Sequence, residues 1–517
     1  MKENDRHNMS PRARVWLLGL LAALSGLCYY VLISMALNPR LKLVYDVKGA
    51  KYGGPLTWPS RVFHLASLSR ESRSLLFIFL VVAVSLMWLA AIYLVRRDNR
   101  KALTYLIVAG FALFALLFVF APVFQSRDVF SYIFFGRAMT VYHSNPFLLI
   151  PHARLHDIFY PLIGWKYNAS VYGPVFNYLT WIVTRVAGNS IIANIMGFKL
   201  MALVAYAACL PLVYTLTRRI SPGKENMALA ISAWCPLLVL HFLGGAHNDA
   251  VMVALVLAGF LLYRKSHLLW GIVLVLLATL VKIEAALILA PLLVLYVRDK
   301  QGVPVKRVAA AAGTLIGVTL LLYLPWLNSL KIFKTTQRMS MMYSGASVPR
   351  LISWQYQKVL RGGGMSASRA ATVANSRVHL LFLAVLAVVA VVLLLKVKDY
   401  RSMALSGAGL VLIWFLTSIY VVPWYLALGL LVVAITGWNL TTALLVAASA
   451  IFAFYRMPSP LSTTSTPGAP TVYIGLPFLL LLIGWLAFAA TGKLKAIRSS
   501  RLEAAPVDCA EDSLREE

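Results

Sequence analysis

The chain has 517 residues, of which 60% are apolar and only 13% are charged. A soluble domain carries about a quarter charged residues, so this composition excludes a soluble globular protein and points to an all-α, polytopic membrane protein. The net charge of +30 would suggest nucleic acid in a soluble protein, but no polar domain exists here to present a basic face; the cations read instead as anchors at anionic headgroups.

Lys2, Arg6, Arg12 and Arg14 precede the apolar run Val15–Leu37. That is the shape of a signal sequence, yet the run is too long for a cleaved core and lacks a small-x-small site, so it reads as a first span. Further runs of spanning length, about 20 residues each, begin at Ser74, Ala102, Ile191, Met227, Ala250, Leu268, Glu284, Val308, His379, Ser402, Trp424, Leu440 and Val472. The expectation is a bundle of about 12–14 transmembrane helices. It divides into an N-terminal segment with two spans (1–101), a module over 102–300 with an outer loop 125–189, a second set of spans over 301–492, and a charged tail 493–517. Glu503–Glu517 within that tail reads as disordered. Cys28, Cys209, Cys235 and Cys509 are scattered and imply neither a metal-ligand spacing nor a disulfide framework.

Short basic loops set the orientation, because Lys and Arg stay on the cytoplasmic side. Arg96 to Lys101, Arg218 to Lys224, Arg264-Lys265, Arg298 to Arg307, Lys396 to Arg401 and Lys493 to Arg501 all fall on one side if the N-terminus is inside and Tyr172–Gly188 does not cross. Both termini are then cytoplasmic, and Asp128, Asp249 and Lys282 lie at the outer face. In Tyr172–Gly188 a Tyr-Gly-Pro turn opens a short aromatic helix with Arg185 near its end. An interfacial helix keeps the alternation consistent; a short true span inverts every later loop.

Three outer segments are long: Asn38–Arg73, Gln125–Asn189 and Asn328–Arg377. The third lies in a stretch, 300–398, that contains no acid, and it carries Lys331, Lys334, Arg338, Arg350, Lys358, Arg361 and Arg369. Charge of one sign on such a loop suits an anionic ligand or lipid headgroups.

Acids are the scarce residue. Only 18 occur, and between Val129 and Lys398 the set is Asp157, Glu225, Asp249, Glu284 and Asp299. Asp128 closely follows an apolar run, where a carboxylate is costly unless it is paired, hydrated or used. It fits two readings, a helix N-cap and a general base. A helix starting there brings Asp128, Tyr132 and Arg137 towards one edge. Gly244-Gly245-Ala246-His247-Asn248-Asp249 packs three polar groups into a tight turn on the same side. Lys282 and Glu284 interrupt two runs that share only about thirty residues, which is short for two crossings; such short segments often bracket a ligand cavity, although snorkelling or a local Lys–Glu pair explains them as well. Pro423-Trp424-Tyr425 is a further outer turn, an aromatic belt by default.

Taken in order, Ser126-Arg127-Asp128 through Tyr132, Gly136-Arg137, Asn145-Pro146-Phe147, Tyr172-Gly173-Pro174, Gly244-Gly245 with His247-Asn248-Asp249, Lys282 and Pro423-Trp424-Tyr425 resemble membrane glycosyltransferases of the GT-C superfamily that use polyprenyl-phosphate sugars. The likeness runs from about Ala102 to Gly437 and is closest to the polyprenol-phosphate-mannose-dependent α-1,6-mannosyltransferases of actinobacterial lipoglycan synthesis. It implies a GT-C helical bundle with juxtamembrane helices in an outer loop. It also implies that Asp128 is the essential acid, Asp249 a second acid and Lys282 a lysine near the donor phosphate. Arg127 stands where many superfamily members have a paired acid, so a divalent metal, with Asp128 and Asp249 as its candidate ligands, is left open.

The expected activity is inverting transfer of a sugar, mannose by resemblance, from a polyprenyl-phosphate carrier to a glycan or glycolipid acceptor at the outer face of the plasma membrane. Asp128 is the expected base. Arg137, Lys282, Arg338 and Arg350 are the expected phosphate ligands. Tyr132, Tyr172, His247, Asn248, Asp249, Trp424 and Tyr425 are expected on the acceptor or substrate side. A flippase, or a polymerase or ligase of lipid-linked saccharides, is the competing class; transporters favour paired repeats and midplane charges, and no repeat is visible here.

Overall fold

A computed structural model describes residues 9–37, 54–65, 67–265, 267–298, 304–327, 332 and 347–454. Lys331, Lys334, Arg338, the run from Val472 and the tail 493–517 lie outside the described residues. The described chain is helical, without a β-strand.

Seven helices among the described residues are long and apolar enough to cross a membrane: Pro11–Ala36, Glu71–Val95, Lys101–Val119, Ile191–Ile220, Val305–Trp326, Ala367–Leu395 and Tyr400–Thr417. An eighth is the pair Glu225–Ala233 and Pro236–Gly244, bent by 42° where Pro236 cannot donate to the helix. Other apolar runs fold into shorter helices, among them Leu268–Thr279, Pro423–Ala434 and Leu440–Phe452. Side-chain caps mark the starts. Ser10 accepts from the Ala13 amide, Ser69 from Ser72 and Ser190 from Ala193, each satisfying one donor that the first helical turn leaves open.

Every residue of Glu225–Ala233 and of Leu426–Ala434 is buried, so these two short helices form the centre of the bundle. Val305–Trp326 and Ala367–Leu395 are the reverse: only 6% of each apolar window is buried inside the protein. Their exposed surfaces are apolar, with Leu320, Leu321, Leu380 and Val388 all exposed.

The segment 125–189 is built on two helices after Lys101–Val119. Asp128–Thr140 packs against Pro174–Ala187, and Gly136 makes the approach possible, since a Cβ there would run into the carbonyl oxygen of Thr180. Pro174–Ala187 has 14 residues, about 21 Å of rise against about 30 Å of hydrocarbon. It exposes Trp181, Ile182 and Val186 while burying Phe176, Asn177 and Thr180, so it is two-faced.

Two breaks bring distant segments together. Leu268–Thr279 ends at Leu280, and the chain passes through an extended Lys282 before Ala286–Arg298 begins. The backbone freed there receives the Tyr172 turn: Gly173 N–H donates to Val281 O and Val175 N–H to Leu280 O, each at 3.1 Å. Gly173 sits so close to Leu280 that any side chain would meet its carbonyl. Unwound backbone inside a membrane bundle is tolerated where protein satisfies it or a cavity adjoins it, and here both hold.

Candidate active site

A cavity of about 340 Å³ opens between the segment 125–189, the Lys282 break and the turn before Leu426. That is the lower end of the range for ligand pockets, about 300–1,000 Å³. Six of the residues singled out from the sequence line it: Asp128, Tyr172, Lys282, Glu284, Trp424 and Tyr425.

Asp128 is the first residue of its helix, with Arg127 in the N-cap position making no side-chain cap bond. Asp128 Oδ1 accepts from the indole N–H of Trp165 at 3.0 Å, and Oδ2 lies 3.8 Å from His247 Nδ1. Trp165 in turn meets the ring of Tyr420 edge-on, with centroids 6.4 Å apart. The carboxylate therefore has one oriented donor on one oxygen, an imidazole near the other, and a cavity beside it.

Behind the wall lies a buried second layer. Tyr132 donates to Asn248 Oδ1 at 3.3 Å, with His247 Nδ1 at 3.4 Å from its hydroxyl. His247 stacks on Trp424 with centroids 3.8 Å apart and 25° between planes. This order follows from local chain geometry. The helix ending at Gly244 carries a π-helical turn, and Ala246 then takes φ +55, which swings His247, Asn248 and Asp249 inward instead of continuing the helix.

Lys282 sits between two carboxylates. Its Nζ donates to Asp249 Oδ1 at 2.9 Å, lies 3.6 Å from Glu284 Oε1 and stands 4.3 Å over the Tyr425 ring. Asp249 is wholly buried, and Lys282 and Glu284 are 7% and 8% exposed. The ammonium is thus matched twice over within the protein, a poor setting for binding a phosphate through this lysine alone. The same geometry argues against a divalent ion. The ammonium fills the place between Asp249 and Glu284 that a cation would take, and among the described residues no three His, Cys, Asp or Glu side chains converge.

Two of the expected phosphate ligands lie away from the cavity wall. Arg137 shares the helix of Asp128 but does not line the cavity. Its guanidinium is buried, donating to Asp157 Oδ2 at 2.9 Å and Asn189 Oδ1 at 2.8 Å. Nine residues of helix separate it from Asp128, which rotates it off that edge. These bonds tie its helix to the rest of the segment 125–189 through Asp157, which also accepts from Tyr142 at 2.7 Å. Arg350 stands in the first turn of Val348–Gly362 and is likewise absent from the cavity wall. Arg338 lies outside the described residues. Sequence reasoning gave no role to Trp165, Tyr420 and His379, which the fold brings to the same wall. Nothing local marks them: two are aromatics in outer segments and one sits within an apolar helix.

Residues 49–298 match the family model described as "Alpha-(1->6)-mannopyranosyltransferase, N-terminal domain". This chain resembles the actinobacterial mannosyltransferases. It is 34% identical over 210 residues to Alpha-(1->6)-mannopyranosyltransferase A of Mycobacterium tuberculosis, covering 38% of this chain and 39% of the relative. The enzyme of that name from Corynebacterium glutamicum is 27% identical over 175 residues, 33% of this chain and 35% of the relative. Alpha-(1->6)-mannopyranosyltransferase B of the same organism is 29% identical over 189 residues, 35% and 31%. The chain spans about a third of the length of these relatives. The matched region contains Asp128, Trp165, Tyr172, His247, Asp249, Lys282 and Glu284, whereas Tyr420, Trp424 and Tyr425 fall beyond it.

Proposed function

We propose that this protein is a membrane-embedded, inverting glycosyltransferase that moves mannose from a polyprenyl-phosphate carrier to a glycan or glycolipid acceptor at the outer face of the plasma membrane. The observation that carries the reading is the setting of Asp128. It is a carboxylate on the wall of a cavity, oriented by Trp165, in a chain with few other acids. The names of the relatives support mannose as the sugar.

Asp128 takes the proton from an acceptor hydroxyl as its oxygen attacks the anomeric carbon. The bond from that carbon to the carrier oxygen breaks, and its electron pair leaves with the lipid phosphate. Attack opposite the leaving group inverts the configuration, as in inverting glycosidases. A carboxylate base in hydrogen-bond reach contributes about 10²–10⁴-fold. Trp424, Tyr425 and Tyr172 offer aromatic faces for a sugar ring on the same wall. Lys282, the cation on the described wall, is already matched, so the phosphate charge falls to basic groups beyond that wall.

The test is Asp128→Asn in the purified full chain with radiolabelled polyprenyl-phosphate mannose. Transfer should fall by about 10²–10⁴-fold while donor binding is kept. Undiminished transfer removes Asp128 as the base.

A further inference from the structure

Two carboxylates line the cavity, Asp128 and Glu284, and the chemistry above uses only the first. Glu284 is 8% exposed, and its Oε2 has no hydrogen-bond donor among the described residues. Its Oε1 is 3.6 Å from Lys282 Nζ, beyond a hydrogen bond, because the ammonium is turned to Asp249 at 2.9 Å. A buried carboxylate oxygen without a donor is costly. Oε2 is itself closed to solvent in this conformation, so the cost is offset when the side chain rotates to turn this oxygen to the cavity and a ligand there supplies the missing O–H.

The chemistry of that ligand follows from the surroundings. Glu284 and the buried Asp249 share a single ammonium, so the Glu284 end of the cavity favours a neutral group over a phosphate or carboxylate. The faces of Tyr425 and Trp424 border the same space, and His247 stacked behind Trp424 keeps that ring from turning. Aromatic faces beside an acceptor-only carboxylate suit a pyranose, whose C–H face packs while its hydroxyls donate. We propose that Glu284 is the specificity-determining residue of a neutral-hexose subsite, accepting hydrogen bonds from one or two ring hydroxyls. The inference rests on the proposed function for the sugar's part in the reaction: the hexose belongs to the donor or to the acceptor.

The test uses the full chain in detergent micelles that carry no sugar headgroup. Binding of methyl α-D-mannopyranoside, its monodeoxy analogues and the corresponding uronate is followed by saturation-transfer NMR competition. The wild type should lose about 10–100-fold in affinity for one deoxy analogue, the range for a hydrogen bond to a charged group, and should bind the uronate more weakly than the parent. In Glu284→Gln, which keeps the shape, that discrimination should collapse. An unchanged ranking in Glu284→Gln, or a wild type that binds no probe, overturns the proposal. If Glu284→Gln does not fold, Glu284→Asp serves: its shorter reach should reorder the deoxy series, and an unaltered order overturns the proposal equally. Transfer assays then place the hexose. Deoxygenation of the donor sugar or of the acceptor raises KM in the wild type, and only the relevant one loses its effect in Glu284→Gln. Intact probe discrimination in a protein that transfers nothing sinks the enzymatic reading and leaves the subsite standing; intact transfer with a flat probe profile sinks the subsite alone.

Discussion

Two polar clusters stand at opposite ends of the helix Lys101–Val119, and they are built to different standards. Before the helix, Asp98 receives Arg100 at 2.5 Å and Arg14 at 3.2 Å. Beside it Asn226 donates to the carbonyls of Asp98 and Arg100 and accepts from Thr104 at 2.6 Å, and Asn99 donates to Glu225. After the helix, one lysine serves Asp249 and Glu284, and the second oxygens of both acids, like the Asn248 amide nitrogen, have no partner among the described residues. A cluster that only holds helices together satisfies its donors and acceptors. One that carries unmet hydrogen-bonding capacity beside a cavity is set up for a ligand, and its protein pays in stability for that readiness.

The comparison is broken or sharpened by substitutions at either end. Lys282→Met strands the buried Asp249 carboxylate and should destabilise the protein by about 3–5 kcal/mol, read as a fall in melting temperature in detergent; a shift as small as that of a surface pair would mean the second cluster is better satisfied than it looks. Gly173→Ala forces the Tyr172 turn away from the Leu280 carbonyl, a cost of about 1–3 kcal/mol that should be accompanied by lost transfer, since Tyr172 lines the cavity. Trp165→Phe keeps the ring beside Tyr420 but removes the donor to Asp128. Transfer should drop by about tenfold with melting little changed, and equal loss in both measurements would make Trp165 a packing residue only.

The smallest effect belongs to the matched cluster. Asp98→Asn should cost about 1 kcal/mol or less, as expected for partly exposed pairs. Its pH dependence has a definite sign. The hydrogen bonds and charge of Arg100, followed by the hydrogen bond of Arg14, lower the Asp98 carboxyl to about 2, below its ordinary value near 4. A depressed carboxyl stabilises the fold above the unfolded value, and that contribution fades as pH falls through the folded one. The stability gap between wild type and Asp98→Asn should therefore be full at neutral pH and close between about pH 4 and pH 2. A gap independent of pH would remove the ion pairs as its cause.

Much of the architecture was legible without coordinates. Apolar runs of spanning length can only be helices in a bilayer, because no other open structure satisfies its backbone there. Scarcity made the acids legible too. Asp128, Asp249 and Lys282 stood out because charge at such depth persists only for a reason, and the fold brings them to or behind one cavity. Arg137 shares the helix of Asp128, but nine residues on it meets the buried Asp157 instead of the cavity. The partnership of Trp165 with Asp128 spans 37 residues of loop, and no periodicity encodes a contact of that kind.

By itself, the sequence determined that this chain is helical, membrane-embedded and sparing with its carboxylates, because hydrocarbon sets the length of a span and penalises every unpaired charge. Tertiary structure alone decided which of those charges meet. A hydrogen bond depends on tenths of an ångström, and the distances among Asp128, Trp165, Lys282 and Glu284 are set by how breaks at Gly173, Ala246 and Lys282 dock against one another, a matter of packing between segments far apart in the chain.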